Sequence, residues 1–107
     1  MHWIFAHLIG DYLLQNDWMA ENKRHSNWAC LVHIVCYMLP FLLTDLNWIQ
    51  LVLIAVQHFV QDRTKFISWY CRIMGKFQNG NIQIIGFIIV DNVFHILWMA
   101  LVVRFFN

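Results

Sequence analysis

The stretch that decides the fold is IQIIGFIIVDNVFHILWMALVVRF, residues 82–105, which is apolar apart from a few polar positions. A bilayer core of about 30 Å is crossed by about 20 helical residues, so this stretch is long enough to span it. Three further apolar stretches precede it, at about 2–17, 28–43 and 48–67, and polar segments separate them. The alternating pattern of barrel strands is absent. Because backbone groups in lipid must be hydrogen-bonded internally, the sequence predicts an all-α, four-helix transmembrane bundle.

The composition supports the same class of protein. Of the 107 residues, 61% are hydrophobic and 12% are charged, about half the charged fraction of a typical soluble domain. The length allows a single domain, residues 1–107, and we expect it to be integral to the membrane. The net charge is +1, and no basic block is present that could follow a phosphate backbone, so we expect no nucleic-acid partner.

The distribution of basic residues predicts the orientation. With four spans, the first and third loops lie on one side, and the second loop lies on the other side with both termini. The first side carries six basic residues, Lys23, Arg24, Arg63, Lys65, Arg72 and Lys76, whereas the other carries only Arg104. By the positive-inside rule, we expect a multi-pass protein of the inner (cytoplasmic) membrane with both termini outside.

Ionisable residues recur inside the predicted spans with a constant spacing. The pairs are His7–Asp11, His58–Asp62 and, in reversed order, Asp91–His95, and the second stretch adds His33. Residues four apart lie on one face of a helix, so each pair can converge on a common point. Because the fourth span runs opposite to the first and third, the reversed order gives all three pairs the same orientation in space. We therefore expect one polar layer.

A charge at mid-bilayer costs about 3 kcal/mol, so three carboxylates in such a layer need compensation. The hypothesis that we favour is a divalent transition metal, Zn, Fe or Mn, as one or two ions, because these metals accept mixed His and Asp ligands. The candidate ligands are His7, Asp11, His33, His58, Asp62, Asp91 and His95. A proton or ion pathway and a purely structural hydrogen-bond network remain alternatives.

Polar neighbours of these pairs suggest additional roles. Asp62 at the cytoplasmic mouth is our candidate general base. Lys23 and Lys65 are candidates for positioning an anionic group, with ordinary contacts to lipid headgroups as the alternative. Nearby amides are also expected to border the site, namely those of Gln15, Gln57, Gln61 and Asn92.

The residues then carry a resemblance. The block HLIGDYLLQNDWMAENK at 7–23, followed by His33, His58-x-x-x-Asp62-x-x-Lys65 and Asp91-x-x-x-His95, resembles a family of small phage and bacterial integral membrane proteins of unknown function. This resemblance covers nearly the whole chain, and it implies the same set of site residues without implying an activity. The repeated His/Asp motifs are also similar to those of membrane-bound metal-dependent hydrolases, which is an analogy only.

Three functions are therefore open. The first is a membrane-embedded metal-dependent hydrolase acting on a lipid or lipid-linked phosphoester from the cytoplasmic leaflet. The second is a proton or divalent-cation transport or channel protein, for which four helices would require a homo-oligomer. The third is a phage membrane effector that works by protein–protein interaction and uses the His/Asp network only for structure. The bilayer is the expected partner in each case.

Overall fold

A computed structural model of the chain describes residues 1–106 and is all-α, as the sequence predicts. No strand occurs among these residues. A π-helical turn, Ile9–Leu13, continues the first helix, and a 3-10 turn, Pro40–Leu43, follows the third. The six helices are α1 (Trp3–Leu8), α2 (Asp17–Asn22), α3 (Asn27–Met38), α4 (Trp48–Arg63), α5 (Phe66–Met74) and α6 (Gly80–Phe105).

The first apolar stretch is not one continuous helix. After α1, the amide of Leu14 donates to the carbonyl of Ile9, five residues earlier, which widens the helix into a π turn. The chain then leaves the helical conformation, and the side chain of Asn16 accepts a hydrogen bond from the Met19 amide to begin α2. The helix expected over 2–17 therefore ends at Leu13, and a separate short helix, α2, begins at Asp17.

The third stretch is also divided. Thr64 takes an extended backbone conformation, and its hydroxyl donates to the Val60 carbonyl at 2.7 Å, so α4 ends at Arg63. The amphipathic continuation forms the separate helix α5, which ends at Gly75 in the left-handed conformation that glycine favours. The predicted span over 48–67 thus ends about one turn early.

The ends of the helices meet in two groups, as expected for antiparallel helices. At one end, the terminal ammonium of Met1 donates to the carbonyl of Leu43, and Asn47 donates to the carbonyl of Phe106. At the other end, Arg63 donates to the Asn27 side chain and to the Arg24 carbonyl. Both termini and the second loop therefore share one end, and the first loop meets the end of α4 at the other.

The helices bury most of the polar side chains of the cluster and expose many apolar side chains. In α4, for example, His58, Gln61 and Asp62 are buried, whereas Val52 and Val56 are exposed. In α6, every exposed residue from 82 to 101 is apolar. This is the reverse of a water-soluble helix, whose exposed face is polar.

One helix among the described residues, Gly80–Phe105, is long and apolar enough to cross a membrane. Its 26 residues correspond to about 39 Å, close to the 40 Å length of the molecule. The stretch Asn27–Leu43 is apolar but shorter. The arrangement of four spans therefore stays a prediction.

Candidate metal centre

Four ligand atoms from three elements meet at one buried point. Asp11 comes from the π turn, His33 from α3, and His58 and Asp62 from successive turns of α4. All four residues are buried, and their ligand atoms lie within 4.8 Å of one another. One whole predicted pair, the acid of another pair and the additional histidine thus form a common site that could hold a metal ion.

The distances between these atoms match a tetrahedral ion site. Nε2 of His58 lies 2.9 Å from Oδ2 of Asp62 and 3.6 Å from Oδ1 of Asp11. Nε2 of His33 lies 3.1 Å from the same Asp62 oxygen and 3.4 Å from the same Asp11 oxygen, and the two Nε2 atoms are 3.1 Å apart. A tetrahedron with metal–ligand distances of about 2.0 Å has six edges of about 3.3 Å, and these five distances are compatible with that zinc-like coordination.

Several buried nitrogen and oxygen atoms of the cluster have no hydrogen-bond partner, which bears on whether it binds a cation. Oδ1 of Asp11 is buried without a hydrogen bond from any described residue, although a buried carboxylate oxygen normally has a partner. Nδ1 of His33 and Nδ1 of His58 also have no such partner, which departs from the usual metal-bound histidine. The His58 ring is held by stacking instead, between Tyr37 at 3.8 Å and His95 at 3.9 Å between ring centroids.

Lys23 reaches this cluster from the turn after α2. Its ammonium donates to Oδ2 of Asp62 at 3.1 Å, and its side chain is largely buried. Burial alone would lower the pKa of Lys23, but attraction to Asp62, Asp11 and Asp91 outweighs this effect and raises the pKa above its usual value. Lys23 is therefore a fixed positive charge at neutral pH.

The third predicted pair, Asp91 and His95, lies next to the four-residue cluster just described. Nε2 of His95 is 3.3 Å from Oδ1 of Asp62 and 3.4 Å from Oδ2 of Asp91. Asp11, Asp91 and His95 form a second set whose ligand atoms lie within 4.8 Å of one another. Asp11 is common to both sets.

His7 is buried at the same level but outside both sets of ligand atoms. Its Nδ1 is 2.8 Å from the hydroxyl of Tyr37, and its Nε2 is hydrogen-bonded to the side chain of Asn92. Both ring nitrogens are therefore engaged by residues other than the carboxylates. The structure brings six of the seven predicted ligands into the two sets and gives His7 other partners.

Lys65 lies apart from the cluster. It precedes α5 and is exposed, and its side chain makes no hydrogen bond or ion pair with the residues that the structure describes. Of the two lysines considered for positioning an anion, only Lys23 is in contact with the candidate ligands.

Tyr37 and the orienting role of two glutamines were not identified from the sequence. Tyr37 lies four residues after His33, which is the spacing of the other pairs. In the sequence, however, it cannot be distinguished from an ordinary aromatic residue of the core. Gln57 and Gln61 were expected near the site without an assigned role. Gln57 donates to Gln61 at 2.6 Å, and Gln61 donates to Oδ1 of Asp91 at 2.9 Å.

A cavity of about 390 Å³ opens beside the cluster, between the first loop and α6. Lys23, Arg24 and Asp91 give it charged walls, and α6 gives it an apolar wall formed by Ile84, Phe87 and Ile88. Gln15 also borders it, and the buried Oε1 of this residue has no hydrogen-bond partner within residues 1–106. The cavity thus combines cationic side chains, an open acceptor and a hydrocarbon surface.

Comparison with known proteins gives one match. A family described as "Protein of unknown function (DUF3307)" matches residues 1–107, which confirms the predicted membership of a domain-of-unknown-function family. No curated protein and no solved structure matches the chain.

Proposed function

We propose a function for this chain, which belongs to the DUF3307 family: it is a membrane-embedded, metal-dependent hydrolase of a lipid or lipid-linked phosphoester. The observation that carries this proposal is the convergence of two imidazoles and two carboxylates with tetrahedral spacing beside a buried lysine and a cavity. A purely structural hydrogen-bond network needs no cavity beside it, whereas a hydrolase needs a cavity that admits its substrate.

The apolar exterior supports a membrane location. Exposed leucine, isoleucine and valine side chains surround a polar interior, which suits a molecule whose solvent is hydrocarbon. In this proposal, α6 crosses the bilayer, and the three shorter helical regions cross it with local thinning. The basic end, which contains Lys23, Arg24 and Arg63, faces the cytoplasm by the positive-inside rule.

A divalent transition ion, Zn, Fe or Mn, would polarise a phosphoryl oxygen and make water more nucleophilic at neutral pH. Asp11, His33, His58 and Asp62 would hold it. Both carboxylate oxygens of Asp62 lie within 3.3 Å of an imidazole nitrogen, so we assign Asp62 to metal binding rather than to the general-base role that its position suggested.

Lys23 and Arg24 would bind the anionic headgroup in the cavity, because two cations at a water-accessible mouth attract phosphate. The α6 side chains Ile84, Phe87 and Ile88 would contact the acyl chain. Access from the end of the molecule that carries the basic residues fits a substrate drawn from the cytoplasmic leaflet.

A transport function has less support. On the side of the cluster toward the chain termini, the described core is mainly apolar, with Phe41, Ile54, Met99 and Val102, and contains the buried amide of Gln50 in the first turn of α4. Ion conduction requires polar groups on both sides of a binding layer, whereas a hydrolase requires access from one side only.

The test combines metal analysis with a hydrolysis assay. The full chain is purified in detergent and reconstituted separately with Zn(II), Fe(II) or Mn(II). Bound metal is measured by elemental analysis, and phosphate release is measured from phosphatidic acid in mixed micelles. We expect stoichiometric metal and turnover in the wild type, and loss of both in His58→Gln.

His25→Gln is the matched control because His25 is exposed and outside the cluster. It is expected to keep the metal content and turnover of the wild type. A wild-type protein that binds no stoichiometric transition metal would overturn the proposal. Metal binding without hydrolysis of phosphatidic acid or of an isoprenyl phosphate would favour the structural or effector alternative.

A further inference from the structure

We propose that Asp11, Asp91 and His95 hold a second divalent ion, with Asp11 and Asp62 bridging the two ions, and that the second ion faces the substrate. The inference rests on the metal centre of the proposed function, but its test does not depend on hydrolysis. The two-ion site is carried by three observations: the division of Asp62 between two groups, the orientation of His95, and the different access of the two sites.

The carboxylate of Asp62 lies between the two groups. Its Oδ2 is 2.9 Å from Nε2 of His58, whereas its Oδ1 is 3.3 Å from Nε2 of His95. One oxygen therefore faces each site. Asp11 belongs to both sets of ligand atoms. Two carboxylates shared in this way are suited to bridging ions about 3.5–4 Å apart, the spacing of two-metal hydrolytic centres.

A chain of amides fixes the orientation of the His95 ring. The Gln57 amide nitrogen donates to Oε1 of Gln61, so Oε1 of Gln57 is an acceptor. It lies 3.3 Å from Nδ1 of His95, and the hydrogen bond places the imidazole proton on Nδ1. Nε2 then presents a lone pair toward the carboxylates, as a metal-ligating histidine does.

The same chain orients Asp91. Gln61 donates from one nitrogen to both the Asp91 carbonyl and Oδ1 of its carboxylate, each at 2.9 Å. The other oxygen, Oδ2, is left facing Nε2 of His95 at 3.4 Å. A nitrogen lone pair and carboxylate oxygens repel one another at this distance, so either a metal ion or a second imidazole proton must lie between them.

A second ion would change the net charge of the centre. With neutral imidazoles, the three carboxylates exceed the single Lys23 ammonium by two negative charges. One divalent ion balances this excess, and a second makes the centre doubly positive. Such a centre attracts a phosphate group, which the first ion alone would do poorly.

The two sites differ in access. Four protein ligands would fill a tetrahedral shell around the first ion, so water or substrate would reach it only as a fifth ligand. The second ion would be held by the three residues of its own set and by Oδ1 of Asp62, and one of the three, Asp91, is partly exposed and borders the cavity beside Lys23. Because Asp91 is the candidate ligand that lines this cavity, the substrate oxygen would bind the second ion.

The experiment measures the number of bound ions. The full chain in detergent is stripped with chelator, loaded with Zn(II) by equilibrium dialysis and analysed for metal per chain. We expect two ions in the wild type and one in both Asp91→Asn and His95→Gln. Asp45→Asn and His25→Gln, at exposed positions away from the cluster, are the matched controls and should keep two.

A second measurement uses the wild type only, so it does not depend on the folding of a variant. Loading with Mn(II) should give the multiline electron paramagnetic resonance spectrum of a coupled ion pair. A single-ion spectrum, or one Zn(II) per chain that Asp91→Asn leaves unchanged, would overturn the second site even if hydrolysis is observed. Two ions without hydrolysis would instead overturn the proposed function and leave this inference standing.

Discussion

Residues 7–23 and 58–65 share a histidine, an aspartate and a lysine in the same order, but the structure places these three side chains differently in the two regions. Each region begins with His-x-x-x-Asp and has a lysine after the acid. The first region contributes Asp11 and Lys23 to the cluster but not His7, whereas the second contributes His58 and Asp62 but not Lys65. Of the shared histidine, aspartate and lysine, each region therefore supplies two to the cluster.

The histidines differ because the helices differ. In α4 the regular helix places His58 directly over Asp62, and their ligand atoms lie 2.9 Å apart. In the first region a π turn begins at Ile9, between His7 and Asp11. The wider turn rotates the acid away from the histidine, and His7 meets Tyr37 and Asn92 instead. Equal spacing gives equal geometry only where the helix is regular.

The lysines differ because of where each helix ends. The bend before α2 returns the first region across the basic end of the molecule, so Lys23 can reach Asp62. In the second region, α4 ends at Arg63, and Lys65 lies in the exposed turn that follows. Sequence distance from the acid is therefore a poor guide to which lysine pairs with it.

The largest expected effect is the difference in metal affinity between variants of the two histidines. His58→Gln should weaken metal binding by about 100-fold or more, because it removes a ligand, whereas His7→Gln should leave the affinity within a few-fold. Competition with a chromophoric chelator measures both. Equal losses of metal in the two variants would place His7 among the ligands and remove the contrast between the regions.

A large structural effect is expected in the π turn. In Gly10→Ala, the new Cβ would lie 2.5 Å from the carbonyl oxygen of Tyr37 and 2.8 Å from its ring, so the turn and α3 must separate. We expect a loss of about 2–3 kcal/mol in the free energy of unfolding, measured by denaturant titration in detergent. Gly80→Ala has no atom within 4 Å of its added Cβ and serves as the control. An unchanged Gly10→Ala protein would mean that α3 does not pack closely on the turn.

His7→Gln is expected to destabilise the fold by about 1–2 kcal/mol while the metal is retained, because buried hydrogen bonds are lost. Tyr37→Phe removes the same contact from the other side. The double variant should therefore lose less than the sum of the two single losses when thermal unfolding is compared. Additive losses would show that the two side chains act independently.

The smallest effect is expected at the lysines. Lys23→Gln should lower kcat/KM for phosphatidic acid about tenfold, equivalent to ~1.4 kcal/mol, because the cation beside the cavity is lost. Lys65→Gln should change it less than twofold. A larger loss in Lys65→Gln would show that α5 brings this lysine to the substrate and that the second motif acts as a whole.

The sequence was sufficient for the class of fold and for most of the cluster. Apolar stretches between polar segments predicted helices, and the reversed Asp91–His95 order predicted that this pair would lie in the same polar layer as the other two pairs. It was not sufficient for the breaks at Asn16 and Thr64, because helix caps and hydroxyl contacts of this kind depend on local conformation. Tyr37 was missed because a phenol in an apolar helix gives no separate signal.

The sequence by itself determined that carboxylates and imidazoles are placed one turn apart in apolar helices, because helical periodicity depends only on the local backbone. The tertiary structure decided which of them lie close enough together to bind a common ion. The division of Asp62 between two groups, the partners of His7 and the Gln57–Gln61 chain depend on how each helix is rotated against its neighbours. Packing between distant segments sets that rotation, and no spacing along the chain encodes it.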